Sequence, residues 1–209
     1  MKKIIIITIA FFLSISASPQ MKYGIKAGLN VSQLSGIDMG SGQSGGSGLA
    51  YGLNAGVFAN YSFSHLLGFQ PEVIFSMQGG AQPKSYSSKA GTDRFNYINV
   101  PLLLEIKPFK SCISFLAGPQ FGYCVSRSFV DKEGVYFSNN KYYKDFDFAI
   151  PVGMKFAITK HLSLELRYYI GLIRSLNSDY NFVFETTNIT GSAIGERNRV
   201  LQLSAGWSF

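Results

Sequence analysis

Eight times along this chain, apolar residues alternate with small or polar ones at a period of two, and the connections between these runs alternate long and short. The runs are KYGIKAGLNVS (22 to 32), residues 49 to 62, LGFQPEVIFSMQ (67 to 78), RFNYINVPLLLEI (94 to 106), CISFLAGPQFGYCVS (112 to 126), KDFDFAIPVGMKFAI (144 to 158), LSLELRYYIGLIR (162 to 174) and RNRVLQLSAGWSF (197 to 209). A two-residue period puts successive side chains on opposite faces of a strand. Tight turns follow the second, fourth and sixth runs, and the stretches 33 to 48, 79 to 93, 127 to 143 and 175 to 196 separate the others. Strands of this length, joined by short turns at one end and long loops at the other, predict an all-β fold. The expected form is an eight-stranded antiparallel up-and-down transmembrane β-barrel with both termini and the short turns on the periplasmic side.

A soluble lipocalin-like barrel shares the eight alternating strands, and three features separate the two. The apolar parity ends in aromatics at both levels: Tyr23, Tyr61, Phe115, Phe156, Trp207 and Phe209 near one rim, Tyr51, Phe75, Tyr123, Phe146 and Tyr168 near the other. Two such belts suit the two lipid interfaces. The opposite parity carries glycine and charge, with Lys26, Lys155 and Arg167 set against Glu72, Glu105 and Glu165 as barrel-interior charges, beside Phe58, Leu103, Leu116 and Tyr169. A turn centred on Lys160 places Lys155 opposite Glu165, and a cross-strand ion pair is expected there. A lipocalin pocket would be lined by apolar side chains instead. Finally, Leu201, Leu203, Ala205 and Trp207 share the parity of the terminal Phe209. A last strand ending in an aromatic looks like an assembly signal, carried by Trp207 and Phe209, for the barrel-assembly machinery.

The chain opens MKKIIIITIAFFLSISASPQ: two lysines, an apolar run too short to span a bilayer, then small residues. This is the layout of a secretory signal peptide, so residues 1–20 are expected to be a leader and 21–209 one barrel domain. Losing Lys2 and Lys3 with the leader takes the formal net charge from +7 to +5. The remaining cations form no stripe, which argues against nucleic acid as a partner. Cys112 and Cys124 are the only cysteines. On one strand, twelve steps of about 3.3 Å hold them roughly 40 Å apart, whereas a disulfide needs Cα atoms within about 7 Å; two free thiols are expected.

Gly40, Gly42 and Gly45 in MGSGQSGGSG spell a G-x-G-x-x-G pattern. That pattern binds a dinucleotide only between a strand and a helix, and the residues after Gly48 alternate as those of a strand do. A flexible Gly/Ser loop is the better reading, and no cofactor is expected. The two histidines, His65 and His161, fall in the short turns, away from the long loops where a surface enzyme of this class would keep its catalytic groups. With the thiols far apart as well, neither a catalytic set nor a metal site is expected. The sequon at Asn188 is most simply chance.

The segments YGIKAGLNVSQLSG, YINVPLLLEIKP, FLAGPQFGY, PVGMKFAITKHLSLELRYYIGL and LQLSAGWSF resemble the PorT-like family of outer-membrane β-barrel proteins. The resemblance covers the whole mature chain through barrel-building motifs. It implies the outer membrane of a Gram-negative bacterium, contact with outer-membrane lipid and lipopolysaccharide, and a link to protein secretion or surface assembly through a secretion-system protein. The expected function is a structural or partner-binding role. A narrow channel for small solutes is the first alternative, although eight strands leave an interior that side chains just fill. A surface-loop enzyme is the second. Long-loop lysines and arginines, Lys84, Lys89, Arg127, Lys132, Lys141 and Lys144, are interleaved with tyrosine and phenylalanine, a mixture suited to phosphate-bearing lipopolysaccharide or another protein.

Overall fold

The computed structural model describes residues 21–35, 37–38, 44–45, 48–82, 91–108, 112–131, 134–137, 145–172 and 197–209. The leader, the sequon at Asn188 and most of the long-loop cations lie outside these residues.

Eight antiparallel strands close into a barrel. They are β1 (Met21–Ser35), β2 (Ala50–Ser62), β3 (Leu67–Gln82), β4 (Gly91–Ile106), β5 (Ile113–Ala117 continued by Gln120–Asp131), β6 (Phe146–Ala157), β7 (Leu162–Gly171) and β8 (Arg197–Ser208). Each pairs with its sequence neighbours, and β8 returns to pair with β1 from Gly24↔Ser208 to Ser35↔Arg197, so the ring has no free edge. Closure leaves no unpaired row of amides facing lipid, which the bilayer core would penalise by several kcal/mol per group. Two small additions sit at the long-loop end: Ile37–Asp38 pairs with Ser44–Gly45, and Val135–Phe137 pairs with β5. Of the glycine pattern, Gly40 and Gly42 lie outside the described residues, Gly45 lies in the first of these short strand pairs, and the next element is β2, a strand.

Four strands run further than the apolar alternation implies, β1 among them, which continues to Ser35. β3 continues to Gln82, β4 begins at Gly91 and β5 reaches Asp131. Beyond the lipid, an outward side chain no longer has to be apolar, so the alternation fades while the hydrogen-bond ladder continues.

The two faces are inverted relative to a soluble barrel. Ile25, Leu29, Leu53, Val57, Leu104, Leu164 and Leu203 point outward and are exposed, as are the aromatics Tyr51, Phe75, Phe115, Tyr123, Phe146, Phe156, Tyr168, Trp207 and Phe209. A continuous apolar exterior of this extent is a lipid-facing surface. The buried face is largely polar, with Lys26, Asn30, Asn54, Gln70, Glu72, Asn99, Glu105, Gln120, Glu165, Arg167 and Gln202 turned inward. Glycines make room for the large interior groups. A Cβ on Gly24 would fall 2.4 Å from Phe58 Cζ, and one on Gly153 would fall 2.8 Å from Arg167 Cγ.

Candidate functional site

The lumen is the one place where chemically active side chains converge among the described residues. Lys26 comes from β1, Glu72 from β3, and Glu165 and Arg167 from β7, each on the inward parity of its strand. Lys26 Nζ lies 2.8 Å from Glu72 Oε1 and 2.5 Å from Glu165 Oε2. Arg167 grips Glu72 with both ends of its fork, Nη1 to Oε2 at 2.7 Å and Nη2 to Oε1 at 2.6 Å, and Nη2 also donates to Glu165 Oε2. Each cation thus touches both carboxylates, and the four side chains are only 0–1% exposed. Gln70 completes the ring by donating to Glu72 at 2.6 Å and to Glu165 at 3.1 Å. Two positive and two negative groups in mutual contact offset the desolvation that either pair alone would leave uncompensated.

A second centre forms around Glu105 on β4. It accepts from Asn60 Nδ2 at 2.5 Å and Ser114 Oγ at 2.8 Å, and it pairs with Lys155 at 3.3 Å and Lys107 at 3.4 Å. Lys155 Nζ donates to Gln70 at 2.8 Å, which links this centre to the ring. The β6–β7 register does set Lys155 opposite Glu165. The expected ion pair between them does not form, however. The Glu165 carboxylate is taken by Lys26 and Arg167, and the flexible Lys155 stem carries its ammonium to Glu105 instead.

Phe58 lies one inward step toward the short-turn end, its ring centroid 5.4 Å from Lys26 Nζ and 5.9 Å from Lys155 Nζ. Toward the long-loop end the lumen is filled by neutral groups apart from the Asp147 carboxylate. Asn30 donates to Ser76 at 2.9 Å, Asn54 to Asn30 at 2.9 Å, Ser204 to Asn54 at 2.9 Å, and the Tyr169 hydroxyl to Gln202. The sequence reading misses Asn60, Gln70 and Ser114, the partners that satisfy the charges, and Asp147, a further inward carboxylate. Their strand parity identifies all four.

Elsewhere the expected groups are dispersed. His65 stands in the exposed Ser62–Leu67 turn, and His161 Nδ1 lies 2.8 Å from the Ser208 carbonyl oxygen with its ring stacked on Trp207 at 5.5 Å. Cys112 is exposed, Cys124 is buried, and both are free thiols. Among the described residues no group of three or more His, Cys, Asp and Glu could hold a metal ion. Of the long-loop cations, Arg127 is described, and its Nη2 is bound to Asp145 Oδ1 at 2.7 Å. Trp207 and Phe209 sit outward at the short-turn rim, where the Phe209 amide donates to the Tyr23 carbonyl at 2.8 Å.

Solved structures with the same fold include Neisserial surface protein A, 13% identical, with 90% of this chain and 97% of that chain aligned at a TM-score of 0.55. Weaker likenesses are to the attachment invasion locus protein Ail of Yersinia pestis (14% identity, 91% and 99% coverage, TM-score 0.48) and OprG of Pseudomonas aeruginosa (14%, 90% and 95%, TM-score 0.45). No curated protein matches the sequence. The family match spans residues 16–177 and is to outer-membrane barrels in general, not to the PorT-like group in particular. An apolar belt around a closed eight-stranded ring, a buried polar lumen and that match together identify an outer-membrane protein of Gram-negative type. The chain belongs to the outer membrane protein beta-barrel domain family.

Proposed function

We propose that this barrel works as a closed membrane scaffold whose long-loop face engages a partner outside the cell. The supporting observation is the ring of Lys26, Glu72, Glu165 and Arg167, which fills the lumen with fully buried, mutually paired charges. A path for solutes would have to break those contacts. A role in protein secretion or surface assembly is the narrower form of this reading, with a secretion-system protein or lipopolysaccharide as the partner, and it rests on the resemblance to the PorT-like family. Cross-linking in intact outer membranes tests it: secretion components captured through the long-loop end support the narrower form, and a barrel captured alone argues against any partner. Trp207 and Phe209 are proposed as the groups that the barrel-assembly machinery reads. Deleting Phe209 should then cut the yield of heat-modifiable barrel far more than deleting residues 40–46.

A second reading is a narrow channel for small solutes. It is favoured by the lumen being polar along its length, from Asn30 and Asn54 at one level to Glu105 and Ser114 at another. If the ring side chains swing aside, a hydrophilic path remains. Recording from single barrels in planar bilayers separates the two readings. The closed scaffold predicts no steps in current, and steps that grow in the Arg167→Ala variant would favour the channel.

A further inference from the structure

The short-turn end of the lumen opens into a cavity of about 480 Å³. It lies at the opposite end of the barrel from the long-loop face, and in an outer-membrane barrel of this topology it faces the periplasm. Its wall carries four lysines, Lys22, Lys107, Lys155 and Lys160, against one acidic side chain, Glu105. That carboxylate is already shared between Lys155 and Lys107 and also accepts from Asn60 and Ser114. Lys22 and Lys160 have no ion pair among the described residues. His161, an imidazole that is neutral or cationic, brings no negative charge, and its Nδ1 faces the Ser208 carbonyl. Even when Glu105 is set against the four lysines, more than two positive charges are left unmatched among the described residues. A second observation points the same way. Ser163 also lines the cavity, and its Oγ is buried without any hydrogen-bond partner, although a buried hydroxyl is almost always satisfied.

We propose that this vestibule binds a small phosphate-bearing anion carrying two negative charges. Lysine ammonium groups are compact point charges suited to phosphate oxygens, and rotation of the Ser163 side chain would turn its unpartnered hydroxyl toward one of them. The volume falls within the range of small-molecule sites, enough for a phosphate monoester with a short organic tail. The phosphate has two available sources, a soluble monoester in the periplasm or the monoester headgroup of an inner-leaflet lipid.

Cys112 lines the same cavity and is exposed, whereas Cys124 is buried, so alkylation of Cys112 reports occupancy directly. The full chain in detergent micelles is treated with iodoacetamide, with glycerol 3-phosphate or chloride added at equal ionic strength, and the modified peptide is quantified. The site predicts that glycerol 3-phosphate slows Cys112 alkylation, about tenfold at ten times its Kd, as simple occupancy requires. The K22Q/K160Q variant should lose that protection and K22R/K160R should keep it, both remaining heat-modifiable. Protection by a phosphatidic acid in the micelle, without protection by glycerol 3-phosphate, would assign the site to a lipid headgroup. Equal protection by chloride, or full protection retained in K22Q/K160Q, overturns the proposal.

Discussion

The two halves of the barrel wall are built differently. From β6 through β7, β8 and β1 to β2, the ladders run without a gap: β1 pairs with β8 at every residue from Gly24 to Ser35, with β2 from Met21 to Ser32, and β6 pairs with β7 from Ala149 to Ala157. In the other half each of four consecutive strands carries one proline at about the same height: Pro71 on β3, Pro101 on β4, Pro119 within β5 and Pro151 on β6. The ladders break beside them. Pairing of β3 with β4 stops at Pro71↔Leu102 and resumes at Ile74↔Asn99. Between β4 and β5 it passes from Leu104↔Ala117 to Pro101↔Gln120, and between β5 and β6 from Val152↔Ala117 to Ala149↔Gln120. Proline has no amide to donate, so a central strand normally excludes it. Four in a row make a seam of missing bonds across one wall, and the lumen contents matter more there than in the continuous half.

The charge ring holds the seamed wall to the continuous one. Lys26, Glu165 and Arg167 belong to the continuous half, and Glu72, on β3 beside Gln70, is the charged member from the seamed half. Glu72→Leu removes that tie and leaves Lys26 and Arg167 sharing one carboxylate. The unfolding free energy in detergent should fall by about 3–5 kcal/mol, the typical cost of stranding a buried charge. Adding Arg167→Met to Glu72→Leu should recover part of the loss, since fewer charges are then unpaired. A silent Glu72→Leu would mean that water reaches the ring, which shifts the balance toward the channel reading.

A smaller effect is expected within the seamed half itself, where Lys155 on β6 reaches Glu105 on β4 across the interrupted β5. A double-mutant cycle between Lys155→Met and Glu105→Gln should give a coupling energy of about 0.5–3 kcal/mol. The same cycle between Lys155→Met and Glu165→Gln should give less, because Glu165 is held by Lys26 and Arg167. The reverse order of couplings would restore the cross-strand pair that the register alone suggests.

That reversal of partners marks how far the sequence can be read. Strand order, inward parity and the alignment of Lys155 with Glu165 all follow from a period of two and a turn at Lys160, because they depend on local geometry. The choice of ion partner does not, since Lys26 meets Glu165 from 139 positions away and only barrel closure brings them together. The proline seam is hidden for a related reason. Pro101 reads as a lone irregularity until the register places it beside Pro71 and Pro119. Strand lengths read short where lipid stops enforcing an apolar exterior, at Ser35, Gln82, Gly91 and Asp131. The vestibule draws on Lys22, Lys107, and the Lys155 and Lys160 of one hairpin, three separate segments, so no stretch of sequence announces it.

The smallest effect should come from repairing the seam. Leu102 N donates to the Pro119 carbonyl at 2.9 Å, the geometry of a residue pair that would ordinarily exchange two hydrogen bonds. Pro119 cannot return the second. Its side chain faces outward toward lipid, where valine is acceptable. Pro119→Val should therefore supply the missing donor to Leu102 and raise stability by about 0.5–1.5 kcal/mol, the usual net worth of one such bond. Amide exchange at Leu102 and Gly118, expected to be faster than at Leu29 and Leu203 in the parent protein, should slow in the variant toward the rates of the continuous half. Should stability and exchange both stay unchanged, the backbone at Gly118–Pro119 is held away from β4 by its own path, and the seam is a bend in the wall that a single donor does not close.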